Sequence, residues 1–478
     1  MDIYSLHPLM PEIVLALLGL CILMLELTSM KKEYIALTAM TGTLAALYFL
    51  RGSSGVLFDG MYQADGYSNY FKLIFFLNLF LSILISIKYL EVEKSSHGEF
   101  YALMVFATIG MMIMASAENM IVLYVGLELM SLSTYVLAGF LRHDSRSTES
   151  AVKYLLMGAF STAILLYGIA LSYGSTGTMD FQQIGLYINS HNLSGNPVVL
   201  LSLVLIMVSF SFKVAAAPFH MWAPDVYEGA PTPVTAFMSI GPKAAGFAVL
   251  GKVLVMVFPS LRSDWTSILI VISVLTMLTG NVMALVQTNI KRMLAYSSIA
   301  HAGYLLLGLI PGNYESFAGM MNYLFIYLFM NVGAFAVIIS LRSAEFMGDE
   351  IRDYAGLAKT HPVMASLMLV FMFALAGIPP TAGFIGKFYI FSELVKSNYI
   401  WLTIAGVMFS VVSAFYYLRV VMYMYMRPPE REVVLETTPP LNLALFIAFT
   451  MIILIGVLPQ AFISHAKNVF FTMYQSLL

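Results

Sequence analysis

A long apolar segment of the chain, at 198–226, contains the stretch Ser211-Phe212-Lys213-Val214-Ala215-Ala216-Ala217-Pro218-Phe219-His220. Pro218 has no N–H, and its ring clashes with the main-chain carbonyl four residues earlier, so a helix is expected to break near Val214. The break falls beside Lys213, an amine in the middle of the segment. Broken helices at membrane depth are tolerated where they line a polar cavity. The stretch therefore predicts a helix interrupted next to a buried charge.

A second apolar segment, at 361–396, carries the same combination. Its stretch Gly377-Ile378-Pro379-Pro380 is expected to break a helix and to free carbonyls near Leu375 and Ala376, and Lys387 follows within two turns. The two breaks are five predicted spans apart, and an odd number of spans reverses orientation. Spans 4–8 and 9–13 are therefore predicted to be inverted repeats, an arrangement whose paired interruptions point to a transport site.

The composition indicates a membrane protein. Of 478 residues, 60% are hydrophobic and 10% are charged, against about 25% charged in ordinary soluble domains. At about 20 apolar residues per transmembrane helix, the apolar content matches roughly fourteen spans. These values exclude a soluble enzyme, a disordered chain and a nucleic-acid binder. Cys21 is the only cysteine, which excludes a disulfide framework, an iron–sulfur cluster and a thiolate zinc site.

We predict an all-α polytopic membrane protein with about fourteen transmembrane helices, because most apolar segments lack the alternating polarity of barrel strands. The predicted spans are 10–28, 34–50, 67–90, 100–117, 119–141, 151–173, 198–226, 231–258, 264–287, 290–310, 315–342, 361–396, 399–426 and 441–463. They form a single membrane domain, 1–478. It comprises helices 1–3 (1–99), a first repeat of helices 4–8 (100–258), a second repeat of helices 9–13 (259–426), and helix 14 with the tail (427–478).

The charges of the loops predict the orientation. Odd-numbered connections carry thirteen Lys and Arg residues, whereas even-numbered connections and the C-terminal tail carry only four: Arg51, Arg262, Lys396 and Lys467. Basic residues accumulate in cytoplasmic loops. Both termini are therefore predicted to face away from the cytoplasm. The first apolar segment lacks a basic n-region and a small-residue cleavage site, so we interpret it as a retained span.

Four charged side chains are predicted at membrane depth: Glu128, Lys213, Lys243 and Lys387. A charge at a helix centre costs roughly 2.5–3.5 kcal/mol on insertion scales, so each needs a partner or water. Three amines against one clear mid-depth carboxylate argue against ion pairing alone. Burial lowers a lysine's affinity for protons and a nearby carboxylate raises it, so such lysines can be loaded and emptied. This pattern favours a proton relay, with structural ion pairing as the alternative.

Other polar residues could extend the relay or be unrelated to it. His220 and His301 could bridge the lysines through water, and the alternative for each is a packing histidine. Lys72 and Lys153 lie near span ends, where lysines can snorkel to water, and this is the favoured interpretation for Lys72. Two further basic residues stay undecided: Lys252 and Arg419.

A recurring spacing gives weak support to the repeats. Asn119 and Asn289 open spans 5 and 10. We call the difference between their residue numbers the Asn119–Asn289 offset. The same offset pairs Glu128 with Ser298 and Ser131 with His301. Lys213 and Lys387 lie slightly further apart than this, so the register is not constant and chance is an alternative.

Four stretches carry a family resemblance: Gly126-Leu-Glu128-Leu129, Lys213-Val-Ala-Ala-Ala-Pro218 through Asp225-Val-Tyr-Glu-Gly-Ala-Pro-Thr-Pro233, Tyr296-Ser-Ser-Ile-Ala-His301-Ala-Gly-Tyr304, and Gly377-Ile-Pro-Pro-Thr-Ala-Gly-Phe-Ile-Gly-Lys387. From about residue 10 to 463 the chain resembles the antiporter-like membrane subunits of respiratory complex I. Its N-type members are the most similar, because span 12 bears lysine where M-type members usually have glutamate. The chain also ends soon after span 14, without the long lateral helix of the L-type. The sequence of residues 225–233 matches the pattern of N-type members.

The resemblance implies a fourteen-helix fold, two inverted five-helix repeats and one proton pathway. It assigns roles by position: Glu128 is the helix 5 glutamate, Lys213 the helix 7 lysine, Lys243 the central helix 8 residue and Lys387 the exit residue. Lys153, His220 and His301 match polar positions along the connecting path.

The resemblance also implies the setting in which the chain works. It implies no cofactor or metal in this chain, with NADH, FMN, iron–sulfur clusters and quinone in other subunits. One copy per complex would join other membrane subunits, including further antiporter-like ones, in the bilayer of a bacterial inner membrane. No nucleic acid is implied. Two alternatives stay open: a subunit of a multi-subunit cation/proton antiporter, and a structural membrane subunit that lost pumping.

Overall fold

The computed structural model describes residues 3–28, 31–343, 347–430, 435 and 437–475. Arg431, one of the thirteen basic loop residues behind the predicted orientation, lies outside these ranges, as does part of the predicted 342–360 loop.

The first half of the described chain contains ten α-helices: α1 (Met10–Glu26), α2 (Lys32–Phe49), α3 (Gly66–Val92), α4 (Gly98–Ser116), α5 (Met120–Ala138), α6 (Ser145–Thr176), α7 (Phe181–Ser190), α8 (Pro197–Lys213), α9 (Trp222–Gly229) and α10 (Thr232–Lys252). A turn of π-helix, Val253–Val257, follows α10. One antiparallel hairpin, β1 (Gly55–Leu57) with β2 (Tyr62–Ala64), precedes α3.

The second half contains nine: α11 (Arg262–Leu285), α12 (Ile290–Leu307), α13 (Tyr314–Leu341), α14 (Leu357–Thr360), α15 (Pro362–Ala376), α16 (Ala382–Lys396), α17 (Ile400–Met426), α18 (Pro439–Val457) and α19 (Pro459–Gln475). Helices therefore occupy every predicted span. The structure adds the hairpin, α7 within the predicted 174–197 loop and α14 within the predicted 342–360 loop. It also divides the last predicted span, because α18 ends at Val457 and α19 begins at Pro459 and continues beyond the span.

The chain is a mainly helical, multi-pass membrane protein. Ten helical segments in its described part are long and apolar enough to cross a bilayer. The other four predicted spans correspond to helices of two kinds. The helices α2 and α12 have 18 residues each and are less apolar. Spans 7 and 12 are each split into two shorter helices, α8 with α9 and α15 with α16, at the proline-containing stretches.

The most buried helices form the centre of the bundle. The most apolar window of α13 is 100% buried, that of α10 with its π-turn is 89% buried, and that of α17 is only 28% buried. A helix that is apolar on all sides is expected at such a centre. The centre therefore contains α10, the helix that carries Lys243.

Two main-chain joints in the bundle have the same form. One joins Asn119 to Asp180 and the other joins Asn289 to Glu350, each as an isolated antiparallel bridge. The first joint uses Met120 N to Met179 O and Phe181 N to Glu118 O, both 2.9 Å, and the second uses Ile290 N to Asp349 O, 2.7 Å, and Ile351 N to Thr288 O, 2.8 Å. Every residue of the second joint follows its counterpart in the first by the Asn119–Asn289 offset.

The same offset recurs where helices pack most closely. A Cβ added at Gly110 would lie 2.5 Å from Met130 N, and one added at Gly280 would lie 2.5 Å from Ala300 N. Only glycine allows the α4–α5 and α11–α12 backbones to approach this closely. Both members of the second pair again follow those of the first by the Asn119–Asn289 offset.

Candidate functional site

Side chains form hydrogen bonds with the backbone groups at the first helix break. Helix α8 ends at Lys213 and α9 starts at Trp222. The Trp222 indole N–H donates to the Phe212 carbonyl over 3.0 Å, and the Ala217 N–H donates to the Thr276 hydroxyl on α11 over 2.9 Å. Backbone groups that lose helical partners must find others when buried. The break is thus an ordered element, and it leaves the Lys213 side chain at the end of its helix.

Lys213 is held by hydroxyl groups of α5. Its ammonium is buried, 3% exposed, and donates to Ser131 Oγ over 2.8 Å and to Tyr135 Oη over 3.4 Å. Glu128 lies one turn before Ser131 on the same helix, and its Oε1 is buried with no hydrogen-bond partner. Among the described side chains, Glu128 and Lys213 form no ion pair. An electrostatic effect of the Glu128 carboxylate on Lys213 would therefore act across space, without a direct contact.

Lys387 fills the second helix break. Helix α15 ends at Ala376, Gly377 adopts φ 86°, and α16 starts at Ala382. The Lys387 ammonium donates to the carbonyls of Leu375, 3.2 Å, and Ala376, 2.9 Å, and to Ser410 Oγ, 3.0 Å. These are the carbonyls that the sequence predicted to be free. The buried amine thus completes the end of the neighbouring half-helix.

Helix α12 connects Lys243 to Lys387. Lys243 donates to both the carbonyl, 2.8 Å, and the hydroxyl of Ser298. His301 follows one turn later, and the ring of Tyr304, another turn on, lies 4.8 Å from Lys387 Nζ. Six residues of helix rise by about 9 Å. A row of three polar side chains on α12 therefore spans the distance between the two lysines.

His301 is the centre of this row and both of its nitrogens are engaged. Nδ1 lies 2.6 Å from Tyr323 Oη on α13, and Nε2 lies 3.1 Å from Tyr417 Oη on α17. Tyr417 also contacts the Ser297 hydroxyl. Imidazole can accept a proton at one nitrogen and donate from the other. Tyrosine hydroxyls therefore lie within hydrogen-bond distance of both ring nitrogens of His301.

Lys153 and His220 lie away from this row. Lys153 is 42% exposed and forms ion pairs with Glu149, 2.7 Å, and Asp225, 2.8 Å, and Asp225 also binds Arg292 at 2.8 Å. His220 lies in the break after Pro218, half-buried, with Nδ1 unpaired. Lys153 thus belongs to a surface ion network on the predicted cytoplasmic side, and His220 lies beside the α8 break.

The interpretation of Lys72 as a snorkelling residue is wrong. Its side chain is 0% exposed, pairs with Glu12 at 2.8 Å and donates to Tyr62 Oη at 2.8 Å, while Tyr62 donates to Glu12 at 2.7 Å. Buried charges are retained where they are paired and hydrogen-bonded. Glu12 on α1 and Tyr62 on β2 supply both requirements, so Lys72 joins three elements inside the bundle.

Lys252 and Arg419 bind carbonyls at equivalent positions of the two halves. Lys252 donates to the Ala117 carbonyl over 3.3 Å, and Arg419 donates to the carbonyl of Gln287, which follows Ala117 by the Asn119–Asn289 offset. Each basic side chain thus holds a main-chain carbonyl just before one of the two main-chain joints. Lys252 also pairs with the Glu118 carboxylate at 2.6 Å. Burial, and then repulsion by Asp65 and Asp180, raise the pKa of Glu118 above its ordinary value although Lys252 opposes this.

Metal-ligating atoms approach one another at one place in the described ranges, formed by Glu26, His97 and Glu99. Glu26 is already bonded there to Lys32 and to the Gly98 N–H, 2.8 Å. This surface cluster lies outside the lysine row and shares no residue with it.

The sequence did not predict the hydroxyl partners of Lys213, Lys243 and His301. Ser131, Ser298 and Tyr417 bind Lys213, Lys243 and His301. A usable signal existed for the serines, because Ser131 lies one helical turn from Glu128 and Ser298 is the counterpart of Glu128 at the Asn119–Asn289 offset. No comparable signal points to Tyr417, whose contact depends on the packing of α17 against α12.

Known proteins of the same kind were found by sequence and by structure. Residues 117–413 match the family described as NADH:quinone oxidoreductase/Mrp antiporter, TM. NADH-quinone oxidoreductase subunit N of Trichlorobacter lovleyi is 46% identical over 470 residues, 97% of this chain and 96% of that protein. The subunit N protein of Moorella thermoacetica is 44% identical, over 97% of this chain and 98% of that protein. The chain belongs to the NADH-quinone oxidoreductase subunit N family.

Solved structures agree with the family. A chain of respiratory complex I from Thermus thermophilus with bound aureothin matches with a TM-score of 0.81 and 33% identity, over 95% of this chain and 99% of that one. A chain of the Mrp complex from Dietzia sp. matches with a TM-score of 0.84 at 18% identity, over 99% of this chain and 98% of that one, which shows a shared fold. The predicted N-type resemblance is therefore confirmed.

Proposed function

We propose that this chain is a proton-translocating membrane subunit of an NADH:quinone oxidoreductase, and that its buried lysines pass the proton. The observation that carries the relay is the row on α12. Lys243 binds Ser298, His301 stands one turn on, and Tyr304 contacts Lys387. Buried amines linked by hydroxyls and an imidazole can exchange protons, whereas a structural ion pair would need matching carboxylates.

The relay has two parts with different chemistry. In the first, the Glu128 carboxylate sets the proton affinity of Lys213 Nζ through space, and Ser131 orients the ammonium. In the second, Lys243 gives a proton through Ser298 and His301 to Lys387 Nζ. Lys387 can release it because its other partners, the carbonyls of the α15 end, accept hydrogen bonds but bind no proton. Lys153 and His220 act as secondary groups at the edge of the path.

The proposed topology has fourteen spans with both termini on the periplasmic side of a bacterial inner membrane. It contains two inverted repeats, helices 4–8 at 100–258 and helices 9–13 at 259–426, with helices 1–3 before them and helix 14 with the tail after them. The two main-chain joints and the two glycine contacts, all related by the Asn119–Asn289 offset, support the repeats. The broken spans 7 and 12 then occupy equivalent positions.

The chain would contribute no redox group of its own to the complex. NADH, FMN, iron–sulfur clusters and quinone would belong to other subunits. One copy would pack in the bilayer against other membrane subunits, including further antiporter-like ones. The proton path through this chain would be coupled to the electron transfer that those subunits carry out.

The decisive experiment replaces Lys213 with alanine in the assembled complex. Lys213→Ala should strongly reduce NADH-driven proton uptake into inside-out vesicles, and quinone-linked NADH oxidation should fall with it. Lys88→Ala is a matched control, because Lys88 is a lysine on a predicted cytoplasmic helix end and outside the row. Full pumping by an assembled Lys213→Ala complex would reject Lys213 as a relay group.

A further inference from the structure

A polar cavity of about 410 Å³ opens on the predicted cytoplasmic side, next to the joint of Asn289 and Glu350. Charged residues dominate its lining, among them Arg146, Glu228, Asp349, Glu350 and Asp353. Asp349 is only 8% exposed, and its Oδ1 is buried without a hydrogen-bond partner. A buried unpaired carboxylate oxygen is costly and needs a functional explanation.

A buried lysine lies within the electrostatic reach of this carboxylate. The Asp349 carbonyl accepts the Ile290 N–H over 2.7 Å, which fixes Asp349 beside Lys291. Lys291 is 3% exposed, and its ammonium donates to the carbonyls of Glu228, 2.6 Å, and Ala230, 2.9 Å. The amine thus lies between the cavity and the end of α9.

Helix geometry places Lys291 on the same face of α12 as Ser298 of the relay. Ser298 follows Lys291 by seven residues, which places both on one face of α12, about 10.5 Å apart along the axis. Ser298 binds Lys243. Tyr227, on α9 next to the carbonyl that Lys291 binds, has a fully buried, unpaired hydroxyl and a ring 6.0 Å from Lys243 Nζ. Tyr227 therefore connects the surroundings of Lys291 with those of Lys243.

We propose that Asp349 and Lys291 form an entry by which protons from the cytoplasmic cavity reach Lys243. The inference rests on the proposed relay. Asp349 Oδ1 accepts a proton that enters the cavity from the cytoplasmic bath, and the proton then passes to the neutral amine of Lys291. Lys291 Nζ then gives that proton, past Tyr227 and Ser298, to the neutral amine of Lys243 and becomes neutral again. Asp349 and Lys291 thereby return to their starting states, Lys243 holds the proton, and one proton has moved inward.

Several charged groups lie near Lys291 and Asp349 and influence their protonation, so these groups must be left unchanged in a test. The charged groups near Lys291 and Asp349 are Asp144, Arg146, Glu228, Arg342, Glu350, Arg352 and Asp353, and Tyr354 is the buried titratable neighbour of Asp349. A purely structural role is the competing explanation, since Lys291 also caps the carbonyls at the end of α9.

An arginine substitution separates the two roles. Lys291→Arg keeps the positive charge and the donors for the Glu228 and Ala230 carbonyls, but a guanidinium is not deprotonated in proteins. A proton-carrying Lys291 predicts that Lys291→Arg and Lys291→Met both reduce NADH-driven proton uptake, by about tenfold or more. A capping role predicts that Lys291→Arg pumps normally. Complex content measured in the same membranes excludes failed assembly as the cause.

The pH of the cytoplasmic side provides a second readout. In inside-out vesicles this side faces the bath, so Asp349→Asn should lose activity progressively as the bath pH rises, because fewer protons enter without a collecting carboxylate. Glu430→Gln is the matched control, an exposed carboxylate on the same cavity, and should keep the wild-type profile. Wild-type profiles and rates in both Asp349→Asn and Lys291→Arg would overturn the entry. If Lys213→Ala still abolishes pumping, the relay itself stands without it.

Discussion

Lys387 donates a hydrogen bond to the main-chain carbonyl of Ala376 over 2.9 Å, across the interruption between α15 and α16. The proline-containing stretch removes the N–H groups that would otherwise bind this carbonyl. The same ammonium is therefore both the helix cap and the proposed proton carrier. A change in its protonation would alter how firmly the two half-helices are joined.

Substitution of Lys387 should separate these two tasks. Lys387→Met removes the ammonium donor from the Leu375 carbonyl, at a cost of about 1–3 kcal/mol for a buried unpaired group, while the Ala376 carbonyl keeps the Ser410 hydroxyl at 3.4 Å. The thermal midpoint in detergent should therefore fall. Lys387→Arg should keep most of the midpoint, because it can still donate to these carbonyls, but should lose pumping. Normal proton uptake by Lys387→Arg would contradict a proton-carrying role.

Glu128 should affect pumping more than stability. It makes no contact pair with Lys213, so Glu128→Gln, which keeps size and removes charge, should impair proton uptake strongly and shift the thermal midpoint little. Glu128→Asp keeps the charge and should impair uptake only partly. Rates at matched complex content decide between charge and packing, and greater damage from Asp would refute the charge mechanism. Combining Glu128→Gln with Lys213→Ala should be less than additive, because both act on one unit.

The buried pair of Lys72 and Glu12 should be structural. Lys72→Met leaves Glu12 buried without its counter-charge, at a cost on the order of 3–5 kcal/mol. Adding Glu12→Gln removes that charge and should recover most of the lost thermal midpoint. Pumping per assembled complex should be unchanged in the double variant. A double variant that unfolds as readily as Lys72→Met would show that charge pairing is not what stabilises this site.

Glu118 should give the stability of the protein a component that depends on pH. Its pKa is raised in the folded state above the ordinary 4.5, so the folded protein binds a proton more tightly than the unfolded chain. This contribution is fully present below pH about 4.5 and is lost as the pH rises through the folded pKa. Thermal midpoints of wild type and Glu118→Gln should therefore be similar at acidic pH and should separate toward neutral pH, with the wild type falling relative to the variant. A constant difference between them would contradict the raised pKa.

The orientation can be checked by labelling. After Cys21→Ser, single cysteines placed in 142–150 and in 349–353 should react with an impermeant reagent only from the cytoplasmic side. A cysteine at the end of α7, such as Ser190→Cys, should react only from the outer side. Labelling of Ser190→Cys from the cytoplasm alone would overturn the predicted topology.

The features predicted from sequence are those set by local chemistry. Pro218 and Pro379-Pro380 break helices wherever they lie, so both interruptions and the free carbonyls near Lys387 followed directly. The environment of Lys72 did not, because its partner Glu12 is distant in the sequence and only packing brings them together. Position near a span end was therefore a misleading guide to exposure.

The Asn119–Asn289 offset relates the two halves more consistently than the spacing of Lys213 and Lys387 indicates. The segment from Glu350 to Lys387 is slightly longer than the segment from Asp180 to Lys213, so the extra residues enter the second half after its joint. Before that point Gly110, Asn119 and Asp180 keep a constant offset to their counterparts. A register compared only at the lysines hides this agreement.

The two equivalent anchors, Lys252 and Arg419, differ in one respect that bears on how the chain is made. In the proposed orientation Lys252 ends on the periplasmic side, where its charge is cancelled by Glu118, whereas Arg419 stays on the cytoplasmic side and binds only carbonyls in the contacts described here. A lysine must be carried across the bilayer during synthesis, and an arginine at the other joint need not be. In the proposed orientation, the anchor that has to cross the membrane is therefore the one whose charge a buried carboxylate neutralises.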